Sequence, residues 1–325
     1  MELPNNEVKR ALVMAYADIS VSLGPAAGGR PLVLPNGEFF PDLFTGDQAS
    51  VQRLLDRMLE HAGLAEMAAV VKIWSEDAEA GCGTGACGSC GPAPQPESEA
   101  VSRLIDAGDT WQINVLPGEV AQPVALSSAL CRALALAVLR EADAPPTQLT
   151  PDLAIDLTAV ALGFGVLLLE GSHIYRKSCG GPSIARSTAL GPTEVALVLA
   201  LFAAQNEQSL RSVNKYLSPT QSEAFAEAKA WVDSNGALVQ ALQRDPERLA
   251  RGEFELREAS SWLGRWLFGK ARRAPNASTA TTIDELEAAL GQQSNANQKR
   301  LPRSTTAKDP KFDEIKRLVD EALSE

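Results

Sequence analysis

Histidine is nearly missing from this chain: His61 and His173 are the only two in 325 residues. That scarcity narrows both histidine-based zinc catalysis and any Ser–His or Cys–His nucleophile. Excess positive charge is missing too. The net charge is −11, so phosphate contacts would work against the overall field, and nucleic acid is not an expected partner. The longest apolar run, Leu157–Leu169, is too short to span a bilayer and reads as a buried helix, with no membrane partner expected. The N-terminus lacks a basic stretch followed by an apolar run and a small-residue cleavage site, so no secretory signal is expected. Nor do the five cysteines form a disulfide framework, because their number is odd and three fall within nine residues. A reducing, cytoplasmic setting fits these absences, and no internal repeat is visible.

What is present suits a globular fold. Apolar residues make up 45% and charged residues 22%, and the length allows a sizeable core. Residues 7–22 predict a helix with Leu12, Val13, Tyr16 and Ile19 on one side. Glu38-Phe-Phe-Pro-Asp-Leu-Phe44 is expected to lie across the domain as an aromatic wedge. Asp47 is a good N-cap for a helix over 48–62, whose stripe is Val51, Leu54, Leu55, Met58 and Leu59. His61 ends that helix before Gly63, where favourable charge placement explains it. Residues 68–74 and 111–116 read as strands. Pro123–Arg140 and Pro151–Glu170 read as two apolar helices with a proline-bearing link. A loop over 171–191 should follow, then helical patterns over 192–206, 209–217 and 219–242. Trp262, Trp266 and Phe268 in the stretch 254–268 are expected on one packed face.

The sharpest local chemistry is Gly81-Cys-Gly-Thr-Gly-Ala-Cys-Gly-Ser-Cys-Gly91. The spacing Cys82-x4-Cys87-x2-Cys90 matches the first three ligands of a plant-type [2Fe–2S] ferredoxin. Its fourth ligand has no clear counterpart: Cys131 lies inside an apolar helix and Cys179 is far along the chain. Zinc held by Cys82, Cys87 and Cys90 with Cys179 or His173 is equally allowed by ligand type. A glycine-rich loop of reduced thiols with no cofactor is the third reading, and spacing alone leaves all three open. Asp152, in the first turn after Thr150-Pro151, reads as a dipole partner of its helix. Asp156 falls between Ile155 and Leu157 on a helix that is apolar nearly all round. A carboxylate there must be hydrogen-bonded, paired or bound to metal.

From Phe39 to about Trp231 the chain resembles an uncharacterised group of bacterial zincin-like metallopeptidases. The likeness rests on Glu38-Phe-Phe-Pro-Asp42 before the helix 48–62, and on Asp156-Leu157 followed by Gly163-Phe-Gly165. Tyr175-Arg176 and the apolar helix 192–206 add to it. The resemblance implies a helix bearing His-Glu-x-x-His, and this chain departs from it there. The segment reads Leu130-Cys-Arg-Ala-Leu-Ala-Leu-Ala-Val138, which puts Arg132, Ala133 and Leu136 at the two ligands and the general base. An arginine cannot ligate zinc at neutral pH, and without the Glu nothing deprotonates a metal-bound water. Glu170 stands where the resemblance implies an Asn. Asp156 survives alone, and a buried ion pair between it and Arg132 is expected to fill the space.

The expected architecture is a helix-rich α+β domain over 1–268, with a zincin-like helical core and a small β element. A flexible linker over 269–309 and an amphipathic helix over 310–325 should follow. Phe312, Ile315, Val319 and Leu323 form the apolar stripe of that last segment, which suits docking to a protein partner. The function expected from these readings is a non-catalytic, metallopeptidase-like binding or scaffold module. A metal or redox protein built on the cysteine loop is the alternative.

Overall fold

A computed structural model describes residues 1–24, 29–73, 103–142, 150–178 and 181–257. Cys82, Cys87, Cys90 and Cys179 lie outside the described residues. So do Trp262, Trp266, Phe268, the expected linker and the stripe Phe312, Ile315, Val319 and Leu323.

The architecture is helix-rich α+β. Helix α1 (Asn6–Leu23) opens on Asn5, whose side chain accepts from the Val8 amide. Leu12, Val13, Tyr16 and Ile19 are all buried. Helix α2 (Gln48–Ala62) is capped as its sequence predicts. Asp47 accepts from the Ser50 amide, and Gly63 closes the far end in the left-handed conformation that a side chain would strain.

Strand β1 (Ala69–Ile73) pairs in parallel with β3 (Trp111–Val115). A strand absent from the sequence reading, β2 (Leu104–Asp106), pairs antiparallel on the other side of β3. The outer edge of β1 is sealed by two side chains one turn apart on α2. Gln52 Oε1 accepts from the Val71 amide at 2.8 Å and Gln48 Oε1 from the Ile73 amide at 3.1 Å. Their amide groups donate back to the Val71 and Ala69 carbonyls. An edge satisfied in this way offers no ladder to an incoming strand.

After the short helix α3 (Pro117–Val120) come the two central helices. Helix α4 (Pro123–Glu141) packs against α5 (Pro151–Ala159), which continues through a kinked turn, Val160–Phe164, into α6 (Gly165–Gly171). The kink has a cause. Gly163 sits at φ 100°, its carbonyl accepts from the Val33 amide at 3.0 Å, and a Cβ there would overlap the Pro31 carbonyl oxygen. By length and composition alone, Pro123–Glu141 and Pro151–Gly171 could each cross a membrane. The second extends the Leu157–Leu169 run to 21 residues, and 94% of its most apolar window is buried against protein. A core helix of a globular protein passes the same test.

Residues 171–191 are not the plain loop expected. Strands β4 (Ile174–Ser178) and β5 (Gly181–Ala185) form an antiparallel hairpin. Helix α7 (Pro192–Gln205) is buried continuously from Thr193 to Ala203. The helical pattern over 209–217 condenses to one tight turn, Val213–Lys215. The pattern over 219–242 divides into α8 (Pro219–Ser234) and α9 (Gly236–Arg244) at Asn235, followed by α10 (Pro246–Ala250). The Asn235 amide explains the break, because its side chain bonds the Trp231 and Arg257 carbonyls and the Arg257 amide.

The segment 38–44 does not form a buried wedge. Leu43 is 79% exposed and Phe44 39% exposed, and the segment lies on the surface as one wall of a cleft. Phe39 and Phe40 meet the His61 ring edge-on, and His61 Nε2 donates to the Phe39 carbonyl at 2.8 Å. This histidine therefore ties the segment to the end of α2.

Candidate functional site

The segment from Pro151 to Gly171 carries two carboxylates of interest, one near each end, and their surroundings differ. Asp156 is fully buried on α5. Arg132 reaches it from α4, with Nε donating to Asp156 Oδ1 at 2.8 Å, so the ion pair expected from the sequence is formed. The same guanidinium donates to Asp152 Oδ1 at 2.6 Å and to the Ser187 carbonyl at 3.1 Å. Asp152 thus does more than favour the helix dipole: it is the second anchor of Arg132. Asp156 Oδ2 accepts from the Ala189 and Leu190 amides at 2.7 and 2.9 Å.

Together these bonds fasten the loop after β5 onto α4 and α5. The Ser187 amide adds a bond to the Gly171 carbonyl, and Thr188 Oγ1 donates to the Leu190 carbonyl. Burial pushes the Asp156 carboxyl up, while Arg132 and the two loop amides pull it back toward the charged form. Of the positions that the zincin overlay brings together, Arg132 and Asp156 do meet. Ala133 and Leu136 are buried apolar packing and take no part. A polar cleft of about 310 Å³ opens beside Arg132, with Arg103, Glu119, Gln122 and Arg186 on its walls. Arg103 and Glu119 form an ion pair there.

Glu170, near the end of α6, sits at a different kind of place. It lines an apolar cleft of about 420 Å³ whose outer wall is Phe40, Leu43 and Phe44. Helix α2 contributes Ser50, Leu54 and Arg57 to the lining, helix α4 contributes Val124, Leu126 and Ser127, and Leu167 and Tyr216 also face it. Burial alone raises the Glu170 carboxyl to about 7. Among the described residues no side chain or amide donates to it and no cation pairs with it. Arg57, the cation in the same cleft, is held instead by Asp42 at 2.8 Å and by Glu60 at 3.0 Å. Cys131 is a buried free thiol, and its pKa is raised by burial and further by Glu170.

Among the described residues, no three His, Cys, Asp or Glu side chains gather to hold a metal. Cys82, Cys87 and Cys90, candidate ligands by their spacing, and Cys179, a candidate by ligand type, lie outside those residues. The Glu170 cleft was not part of the sequence reading. Its one visible signal is a carboxylate placed directly after the apolar run Val166-Leu-Leu-Leu169. Comparison with family models, curated proteins and solved structures finds no match for this chain.

Proposed function

We propose that this chain is a non-catalytic, metallopeptidase-like binding module, in which an ion pair closes the former metal centre and the neighbouring apolar cleft receives the ligand. The observation that carries this reading is the full use of Asp156. Both of its oxygens accept hydrogen bonds, from Arg132 and from two loop amides. A carboxylate so engaged, fully buried and paired with a guanidinium, is committed to holding the loop and the two helices together. Arg132 cannot replace the missing ligand, because its guanidinium stays protonated.

The cleft supports the binding half of the proposal. Its lining is mostly apolar, and it includes two apolar side chains left substantially exposed, Leu43 and Phe44. The sealed edge of β1 argues that recognition there does not proceed by strand addition. The stripe Phe312, Ile315, Val319 and Leu323 would supply a second contact, to a protein partner.

The test has two halves, both on the full chain. Incubation with casein, with zinc added and with chelator added, should give no cleavage in either condition. Titration with 4-phenylbutanol, followed by ligand-observed NMR, should show saturable binding that Leu43→Asp weakens. Chelator-sensitive casein cleavage, or no saturable binding, would overturn the proposal.

A further inference from the structure

The Glu170 carboxyl is set into an apolar wall with no partner among the described residues. Leaving an ionisable group there costs stability unless something in the functional state compensates it. The cleft's other charges do not do so. Arg57 and Asp42 neutralise each other at 2.8 Å, and both have exposure enough to be solvated. The Tyr216 hydroxyl accepts from Asn36 Nδ2 at 3.2 Å rather than meeting Glu170. From α4, the Cys131 thiol faces Glu170 as a neutral group, its pKa being raised. Three residues along the chain, burial lowers the pKa of His173 and so disfavours its charged form.

The site therefore offers one negative head position and a tail slot lined by Phe40, Phe44, Leu54, Val124 and Leu167. A cation carrying an apolar tail satisfies both. The tail replaces water along the walls, and the head forms a charge-assisted hydrogen bond with the carboxylate. The chain's net charge of −11 favours the approach of cations over anions. We propose that the cleft is a binding site for a small primary amine bearing an aryl or alkyl tail, with Glu170 as the counter-ion of its ammonium group.

This inference rests on reading the cleft as the binding site, and the experiment separates the two. Full-length protein is titrated calorimetrically with 4-phenylbutylamine, with 4-phenylbutanol as its neutral counterpart and with 4-phenylbutyrate as its anionic one. At pH 8 the amine should bind about tenfold more tightly than the alcohol, the scale of one charge-assisted bond, and the acid should bind least. Amine affinity should rise between pH 5.5 and 8, as Glu170 ionises while the amine stays protonated. Alcohol affinity should not rise.

Glu170→Gln should abolish the amine's advantage and its pH profile while retaining the alcohol. The pH profile of the unaltered protein tests the same point should that variant not fold. Equal binding of amine and alcohol at pH 8 would overturn the amine assignment and leave the binding cleft standing. An amine advantage that persists in Glu170→Gln would also overturn the assignment. Failure of all three probes to bind would overturn both readings.

Discussion

Asp156 and Glu170 belong to one continuous helical segment, stand fourteen residues apart, and face opposite fates. Asp156 is fully buried, and both of its oxygens accept hydrogen bonds from the protein itself. Glu170 is partly buried, and among the described residues nothing partners its carboxyl. Burial raises both pKa values, yet the consequences differ. Where donors are built in, a buried carboxylate acts as a fastener. Where they are absent, it remains available to a ligand. The contrast shows that depth alone does not make a site; the inventory of donors around a carboxylate does.

Substitutions should separate the roles of these two carboxylates. The largest effect should come from removing one partner of the fastener. Arg132→Ala leaves the Asp156 carboxylate buried without its counter-ion, and such losses cost about 3–5 kcal/mol. Denaturant unfolding should show it. A loss under 1 kcal/mol would mean that the pair contributes little. Arg132→Lys should also destabilise, because one ammonium cannot reach Asp152, Asp156 and the Ser187 carbonyl together with the guanidinium's geometry.

Next comes Gly163→Ala, which tests the kink that separates the two carboxylates. A side chain at φ 100° against the Pro31 carbonyl should cost about 1–3 kcal/mol. Thermal unfolding would reveal it, and an unchanged Tm would show that the kink relaxes freely.

An effect with a distinctive sign is expected at Glu170. Its folded pKa, about 7, lies above the ordinary Glu value, so folding favours the protonated form. That contribution is fully present below the unfolded pKa of about 4.3 and is lost as pH rises through 7. Glu170→Gln should therefore match the parent Tm near pH 4 and exceed it near pH 8. A Tm difference independent of pH would contradict the unpartnered environment. The smallest effect belongs to Leu43→Ser. At 79% exposure it should change stability by less than about 0.5 kcal/mol while weakening apolar ligands in the cleft.

Much of this fold is legible in the chain. Helices α1, α2, α4 and α7 declare themselves through apolar periodicity, proline at the start of the last two, and the Asp47 and Gly63 caps. The Arg132–Asp156 pair is legible for a different reason. Each is a charge set among apolar neighbours within its helix, and charges placed so must find each other or something equivalent. The other parts of the fastener are not written locally. Asp152 looks like an ordinary first-turn acid, and the amides of Ala189 and Leu190 carry no side-chain signature. Their role depends on a hairpin, β4–β5, that brings a distant loop back across the helices. The Glu170 cleft is hidden for the same reason. Its outer wall comes from residues 40–44, whose aromatic content suggests burial but whose segment is held at the surface through Phe39 and His61. A long-range packing outcome of that kind leaves no periodic trace.

The most direct test of the fastener is a double-mutant cycle on Arg132→Met and Asp156→Leu, measured by denaturant unfolding. Arg132→Met strands the Asp156 carboxylate in the core, and Asp156→Leu leaves Arg132 with Asp152 as its remaining counter-ion, whereas the double change strands neither member of this pair. The double variant should therefore lose at least about 1 kcal/mol less than the two single losses added together. Simple additivity of the two losses would contradict the claim that Arg132 and Asp156 act as one structural unit.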